Sequence, residues 1–439
     1  MAPNESAEDL NNAAVQALKN ERYDLAVSLL QRVLKLEPRH KTAWEGLGVA
    51  YLGLNQNQEA IDALKKQIEL NAYDQFAYTY LGMAYQRQQQ YDLAIRQFQK
   101  QIEINPLDPR AHADLGSLYS TQKDYAAALP ELQKAVDLDP QNAVLRVSLG
   151  QAYLATGQAE EGMASFEKAI SLAPTPLIWN NVAYSLAEQN AQLERADKYI
   201  DAAINGIETQ LRDVKLDSLR TQDLAAANLL FSMWDTKGWI AFKRGDLDSA
   251  EQWIRPAWQA SGRGDEAEHL ADIYQKKGQR ERAVHYYTES LAADNPGAEA
   301  RARLVELKAT KDLDHRIQQA RQDVQQNRAV RLNHTDDGQA EFFLLISPSK
   351  VEQVKFVKGD AGLQSLSGLL EKADIDMKFP RQSQVRVPRR GRVSCGTTAP
   401  NSRMQLPRDS PSAAPGQAAS VPGACTLEMI PSDLVRGLD

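Results

Sequence analysis

Residues Trp44–Tyr51 read WEGLGVAY, and the pattern of this stretch returns along the chain every 34 residues. Its central glycine belongs to a series of small residues at that interval: Ala14, Gly48, Gly82, Gly116 and Gly150. A fixed period of this length indicates stacked structural repeats, each of which contacts its neighbours, in place of a single hydrophobic core.

Two further series run in register with the glycines. A second small residue follows twelve positions later, at Ala26, Ala60, Ala94, Ala128, Gly162 and Ala196. A bulky apolar residue lies four positions beyond that, at Leu30, Leu64, Phe98, Leu132 and Phe166. The small residues predict a close crossing of two antiparallel helices in each unit. Proline ends four of the units, at Pro38, Pro106, Pro140 and Pro174, because it cannot continue a helix.

This combination resembles the tetratricopeptide repeat, whose pattern is W-x2-L-G-x2-Y, then A-x3-F, then P. Trp44, Leu47, Gly48 and Tyr51 match its first half. The resemblance implies a mainly α fold, an α-α superhelix that forms a right-handed solenoid. The predicted segments are five regular units over 7–174, three degenerate units over 175–297 with a helical insertion at 205–229, and a capping helix at 298–330.

From Asp336 the period changes, and strand patterns appear at 339–346, 351–357, 385–393 and 425–430. Leucines at 363–370 predict a helix between the second and third strands. This β-β-α-β-β order, with Phe379-Pro380 before the last strands, resembles the C-terminal domain of TonB-type envelope proteins. The resemblance implies a small α/β domain over 336–394 and 425–436. Residues 396–424, rich in Pro, Ser, Ala, Gly and Thr, predict a disordered loop.

Together with Trp234–Trp239 (WDTKGW), these features resemble the C-terminal half of bacterial cell-envelope tetratricopeptide proteins. Fuller members of that group carry a transglutaminase-like domain. The resemblance implies a periplasmic or envelope-associated location for a longer or processed chain. A cytoplasmic location stays open, since the start, MAPNESAEDL, lacks the pattern of a secretory signal. No run of about 18 apolar residues predicts a transmembrane helix.

The two cysteines, Cys395 and Cys425, are either a disulfide pair in an oxidising compartment or two thiols in the cytosol. The resemblance favours the disulfide, because fuller relatives carry two cysteines close together in this region.

No nucleophile, base or metal constellation points to catalysis, so we expect no enzyme, cofactor or metal. The six histidines are scattered over different repeats. The net charge of −7 disfavours nucleic acid as a specific partner. A basic patch, Arg386, Arg389, Arg390 and Arg392, is suited to anionic lipid, peptidoglycan or nucleic acid, or merely solvates one face of an edge strand. The second interpretation is favoured, because no aromatic residue is interleaved with the arginines.

The remaining functional surface is the solenoid's inner groove, which suits a peptide or helix of a protein partner. Positions 2, 5, 9 and 12 of each unit are expected to line it. They include Thr42, Glu45, Val49, Leu52, Phe76, Thr79, Met83, Gln86, Arg110, Ser117, Ser120, Val144, Val147 and Gln151. Some of them are alternatively packed between repeats. The Lys/Asn/Arg clamp with which chaperone-binding relatives hold a terminal carboxylate is absent.

The sequence therefore predicts a non-catalytic scaffold that binds protein, with envelope components as candidate partners. Two alternatives stay open. One is a substrate-selecting accessory region of a larger enzyme, transglutaminase-like or glycosyltransferase. The other is a cytosolic scaffold.

Overall fold

The computed structural model divides the chain into two compact units, Met1–Pro174 and Thr175–Asp439. It describes residues 6–293, 295–327, 329–333, 338–373, 375, 377–380, 383–395 and 424–430. The predicted loop at 396–424 lies outside these residues, except for Ala424, which begins a strand.

The described part of the first unit consists of five antiparallel helical hairpins. Their helices are α1 Ala7–Lys19, α2 Tyr23–Leu36, α3 Ala43–Gly53, α4 Asn57–Leu70, α5 Gln75–Arg87, α6 Tyr91–Ile104, α7 Pro109–Thr121, α8 Tyr125–Leu138, α9 Ala143–Ala155 and α10 Ala159–Leu172. The second helix of each hairpin packs against the first helix of the next, so the hairpins stack in sequence order.

The glycine series marks the crossing of the two helices within a hairpin. A Cβ atom on Gly48 would lie 2.5 Å from Cγ of Leu64, and one on Gly116 would lie 2.7 Å from Cγ of Leu132. Both leucines are fully buried. The bulky residue of the second helix therefore lies directly on the glycine of the first, which explains why the two series stay in register.

The loop inside each hairpin contains one residue with a left-handed backbone. These residues are Glu21, Asn55, Gln89, Lys123 and Gly157, with φ between 55° and 82°. A positive φ is easily adopted by glycine and asparagine but is strained in other residues. The repeat geometry therefore imposes this turn even where the side chain disfavours it.

The second unit contains three hairpins, of which the first two have longer helices. Their helices are α11 Pro176–Glu188, α12 Leu193–Leu211, α13 Thr221–Arg244, α14 Leu247–Ser261, α15 Gly264–Lys276 and α16 Arg280–Ala292. The predicted helical insertion at 205–229 is not a separate helix. Its ends extend α12 and α13, and between them lies a 3₁₀ turn at Leu216–Ser218.

The predicted capping helix at 298–330 is wrong in extent. The segment forms two helices, α17 Ala300–Glu306 and α18 Leu313–Asn327, followed by strand β1, Ala329–Asn333. Lys308 and Asp312 adopt left-handed φ values of 51° and 52°, which interrupt the helical path between α17 and α18. Both helices pack against α16 and cover the last hairpin.

The C-terminal region contains an antiparallel sheet in the order β1-β5-β4-β2-β3. The other strands are β2 Gly338–Ser347, β3 Lys350–Gly359, β4 Val387–Cys395 and β5 Ala424–Met429. The predicted leucine-rich helix is a 3₁₀ turn, Ala361–Leu366, that runs into the short helix α19, Ser367–Leu370. The sequence pattern did not predict β1, because residues 329–330 were assigned to the capping helix and 331–333 to no element.

The insertion attaches this sheet to the helices of the second unit. The backbone N–H of Leu216 donates to Oε1 of Gln353 at 3.1 Å, and Nζ of Lys355 donates to the carbonyl of Leu216 at 3.1 Å. The ring of Phe379 meets Trp234 of α13 edge-on, with ring centres 5.8 Å apart. The last repeats and the sheet thus share one compact unit.

Candidate functional site

The inner face of the first unit is formed by the first helix of each hairpin. α1 contacts α3, α3 contacts α5, and α7 contacts α9, whereas in the described part of this unit no two second helices contact each other to the same extent. Because the first helices lie closer together, their exposed side forms the concave surface of the stack. This surface, called the unit 1 groove below, carries the predicted ligand-binding positions.

Most of the predicted groove residues are accessible. Exposed side chains are Thr42, Phe76, Met83, Arg110, Ser117 and Val144. Partly exposed ones are Glu45, Val49, Thr79, Gln86, Ser120 and Gln151. Phe76, Met83 and Val144 keep 42%, 37% and 50% of their surface exposed, which is high for large apolar side chains.

Two of the predicted groove residues are buried instead. Leu52 is 5% exposed and packs in the core beside Ile61 and Leu81. Val147 is 6% exposed. Both residues are therefore covered by the protein and do not line the groove.

Arg110 is held in place over the groove. Its Nε and Nη2 donate to the two carboxylate oxygens of Asp108, each at 3.1 Å. Asp108 also accepts from the backbone N–H of Arg110 and so caps α7. The guanidinium lies 5.9 Å from the ring centre of Phe76, within the range of a cation–π contact.

Two carboxylates in the groove, Glu45 and Asp114, have raised pKa values. Burial and the charge of Asp74 raise the pKa of Glu45 to about 7. Burial and Asp108 raise the pKa of Asp114 to about 6, although Arg110 opposes that rise. Burial also raises the pKa of the Tyr80 hydroxyl. The charge of Glu45 raises this pKa further, whereas the charge of Arg110 lowers it. Glu45, Tyr80, Arg110 and Asp114 thus interact electrostatically across α3, α5 and α7.

The fourth position of the repeat has a structural role. Nε1 of Trp44 donates to the carbonyl of Pro38 at 3.0 Å, and Nε of Arg146 donates to the carbonyl of Pro140 at 3.0 Å. Nε2 of His112 lies 3.2 Å from the carbonyl of Pro106. Three different side chains thus make the same contact to the proline six residues earlier, and His112 holds the repeat together.

The second unit contains a buried charged pair that the sequence pattern did not indicate. Nδ1 of His269 lies 2.8 Å from Oδ1 of Asp235, and the imidazole stacks on Trp239 with ring centres 4.0 Å apart. Burial opposes a charge on His269, but the hydrogen bond to Asp235 and the charges of Asp235, Asp265 and Asp272 together raise its pKa to about 9. Trp239 donates to Oε1 of Glu188 at 2.6 Å. The second half of WDTKGW therefore packs adjacent repeats together.

The predicted basic patch is not a surface patch, and β4 is not an edge strand. Arg389 and Arg390 are only 4% and 7% exposed. Arg389 lies over the ring of Phe231, 5.3 Å from its centre. Arg390 and Arg392 both bind the carboxylate of Glu341 on the neighbouring strand, at 2.8 and 3.2 Å.

The fourth arginine, Arg386, is also engaged in structural contacts. It binds Glu352 at 3.3 Å and donates to the carbonyls of Arg212 and Val214 in the insertion. The solvated edge is therefore wrong, because β4 is an inner strand, and the buried Arg389 and Arg390 are not available to a surface anion. Arg386 and Arg389 connect the sheet to the neighbouring helical region, whereas Arg390 and Arg392 pair with Glu341 within the sheet.

Cys395 and Cys425 are joined by a disulfide in the structure. They lie directly opposite each other on β4 and β5, with Cα atoms 4.1 Å apart. Among the described residues, no group of three or more His, Cys, Asp or Glu side chains is arranged to hold a metal ion. None of the described helices has the length and apolar character needed to span a membrane.

Sequence models of the tetratricopeptide repeat family match residues 11–74, 81–143, 119–183 and 266–299. The chain therefore contains tetratricopeptide repeats, and the interpretation of Trp44–Tyr51 is confirmed. None of the curated proteins matches the chain significantly.

Similar solved structures each align with part of the chain. MamA is 25% identical over 39% of this chain and 93% of its own, with a TM-score of 0.36. MamA from Desulfovibrio magneticus RS-1 is 23% identical over 38% of this chain and 95% of its own, with a TM-score of 0.36. YrrB, described as a TPR protein with an unusual peptide-binding site, is 20% identical over 40% of this chain and 91% of its own, with a TM-score of 0.34.

Proposed function

We propose that this tetratricopeptide solenoid is a non-catalytic scaffold that binds a segment of a partner protein in the unit 1 groove. The observation that carries the proposal is the exposure of Phe76, Met83 and Val144 on the concave side of successive first helices. Apolar side chains in a concave surface are suited to anchor a peptide, because burying each one contributes about 1.5–3 kcal/mol.

The test uses random peptides displayed on phage and panned on the full chain. Enriched peptides are synthesised with a fluorescent label, and their affinity is measured by anisotropy for the wild type and for the double variant Phe76→Ser, Met83→Ser. Loss of two apolar anchors is expected to weaken binding by at least about tenfold, since about 1.4 kcal/mol corresponds to one factor of ten.

A matched control removes two exposed leucines outside the groove. Leu25 and Leu36 lie on α2, a second helix, and are 38% and 58% exposed. The double variant Leu25→Ser, Leu36→Ser is expected to bind the same peptides with unchanged affinity. Failure to enrich any peptide, or equal binding by both double variants, would place the function elsewhere.

We further propose that the protein works in an oxidising compartment, as a component of a bacterial envelope assembly. The Cys395–Cys425 disulfide supports this location, because disulfides persist mainly in such compartments. The likeness of the C-terminal region to TonB-type domains, the link to transglutaminase-like proteins and the absence of catalysis belong to the same proposal. Alkylation of free thiols in intact cells, followed by mass analysis, tests it. Two alkylated cysteines would favour the cytosolic scaffold instead.

A further inference from the structure

The chemistry of the unit 1 groove also specifies the kind of segment that it binds. The carboxylates along it are Glu45, Asp74, Asp108 and Asp114, whereas Arg110 is the cation that lies among them. Asp74 and Asp108 are occupied, because each caps the helix that follows it. The groove thus combines apolar side chains with an excess of negative charge.

Two of these carboxylates lack a partner among the described residues. Glu45 and Asp114 are half-buried, and in the described part of the structure neither accepts a hydrogen bond or forms an ion pair. The cation that acts on Asp114 is Arg110, and Asp108 already binds its guanidinium through two hydrogen bonds. A half-buried carboxylate without a partner has lost part of its hydration and gained nothing in return.

The two carboxylates are linked through Tyr80 and Arg110 to the exposed Phe76. The pKa of Tyr80 on α5 is raised by the charge of Glu45 on α3 and lowered by that of Arg110 on α7. The pKa of Arg110 is in turn raised by Asp114 on the same helix. The ring of Phe76, 5.9 Å from the Arg110 guanidinium, lies on the same surface. A segment lying across α3, α5 and α7 therefore meets negative charge, an apolar patch and negative charge again.

We propose that the unit 1 groove binds a segment of a partner protein in which lysine or arginine residues are interspersed with apolar residues. This inference rests on the proposed function and adds the charge of the ligand to it. The cationic side chains pair with Glu45 and Asp114, and the apolar ones cover Phe76 and Met83. An acidic segment is disfavoured, because it would add like charge to a concave surface.

The same contacts predict how binding depends on pH. A cation bound at Glu45 or Asp114 stabilises the ionised carboxylate, so binding releases protons where these groups are protonated in the free protein. Glu45 faces Asp74 and Tyr80 of the neighbouring repeat, and Asp114 faces Asp108 and Arg110. Affinity for a lysine-containing peptide is therefore expected to fall as the pH is lowered below about 7.

The experiment uses short synthetic peptides with identical leucine positions, and with lysine, glutamine or glutamate at the intervening positions. Binding to the full chain is measured by fluorescence anisotropy. The lysine peptide is expected to bind at least about tenfold tighter than the glutamine peptide, and the glutamate peptide weakest. Added salt is expected to reduce the preference, because the contacts are partly exposed.

Paired variants assign the preference to the two carboxylates. The double variant Glu45→Gln, Asp114→Asn is expected to bind the lysine and glutamine peptides equally. Glu59→Gln, Asp62→Asn removes the same charge from exposed positions on α4, a second helix, and is expected to keep the preference. Circular dichroism checks that both variants are folded.

The outcomes separate this inference from the proposed function. Equal binding of the lysine and glutamine peptides to the wild type, or an unchanged preference in Glu45→Gln, Asp114→Asn, overturns the inference. If the peptides bind regardless of their charge, and Phe76→Ser, Met83→Ser still weakens that binding, the proposed function stands without the charge preference. If the peptides bind but the serine variant does not weaken them, the groove itself is the wrong site.

Discussion

Replacing Gly48 by alanine tests the packing that makes the repeats stack. The new Cβ would lie 2.5 Å from Cγ of Leu64 and 2.7 Å from its Cδ2, whereas carbon atoms in contact are about 3.5–4.0 Å apart. The overlap is therefore about 1 Å, and Leu64 is fully buried, so it has no free space to move into. Overpacking of this kind typically costs about 1–3 kcal/mol.

Gly46 provides the matched control on the same helix. A Cβ there would lie 3.3 Å from Cδ1 of Leu30, which needs an adjustment of only a few tenths of an ångström. Both changes gain about 1 kcal/mol of helix propensity. The propensity gain therefore cancels in the comparison, and Gly48→Ala is expected to be about 1–3 kcal/mol less stable than Gly46→Ala.

The assay is urea denaturation of the full chain, combined with hydrogen exchange of the amides in α3 and α4. Hydrogen exchange is needed because stacked repeats do not always unfold as one cooperative unit. We expect faster exchange in α3 and α4 for Gly48→Ala than for Gly46→Ala. Equal stability and equal exchange in the two variants would refute the assignment of Gly48 to the helix crossing.

Two other predictions concern the second unit. Because the pKa of His269 is about 9 when folded and 6.5 in its reference state, the stability gained from its pairing with Asp235, Asp265 and Asp272 is complete below pH 6.5 and lost as the pH rises through 9. The difference in Tm between the wild type and His269→Gln should therefore decrease as the pH rises over this range. A constant difference in Tm would contradict the prediction. Cys395→Ser opens a loop with a sequence separation of 30, which is expected to cost about 3–4 kcal/mol in urea denaturation. The cost should vanish when wild type and variant are compared under reducing conditions.

The repeat and its packing could be predicted from the sequence because the interactions are local. Gly48 and Leu64 lie in neighbouring helices of one hairpin, so their contact recurs with the period and shows as a pattern. The groove positions follow from the same period and a helix of 3.6 residues per turn. The burial of Leu52 and Val147 does not follow from it, because it depends on how closely neighbouring first helices approach.

Several assignments in the second unit failed for a related reason. Residues 298–330 have the composition of a helix, but two left-handed residues and the pairing of β1 with β5 divide them. The strand partner of β1 begins at Ala424, almost a hundred residues later. No local pattern contains that pairing.

The sequence by itself determined a solenoid of helical hairpins, the hairpin boundaries of the first unit and the face that carries Phe76 and Met83, because side-chain size and periodicity act over a few helical turns. Only the tertiary structure decided that Arg389 and Arg390 are buried against Phe231 and Glu341, and that Glu45 and Asp114 have no partner among the described residues. Charge is paired or unpaired according to residues far away in the chain. The residue types of this protein therefore predict its scaffold, and the three-dimensional arrangement of their charges indicates what the scaffold binds.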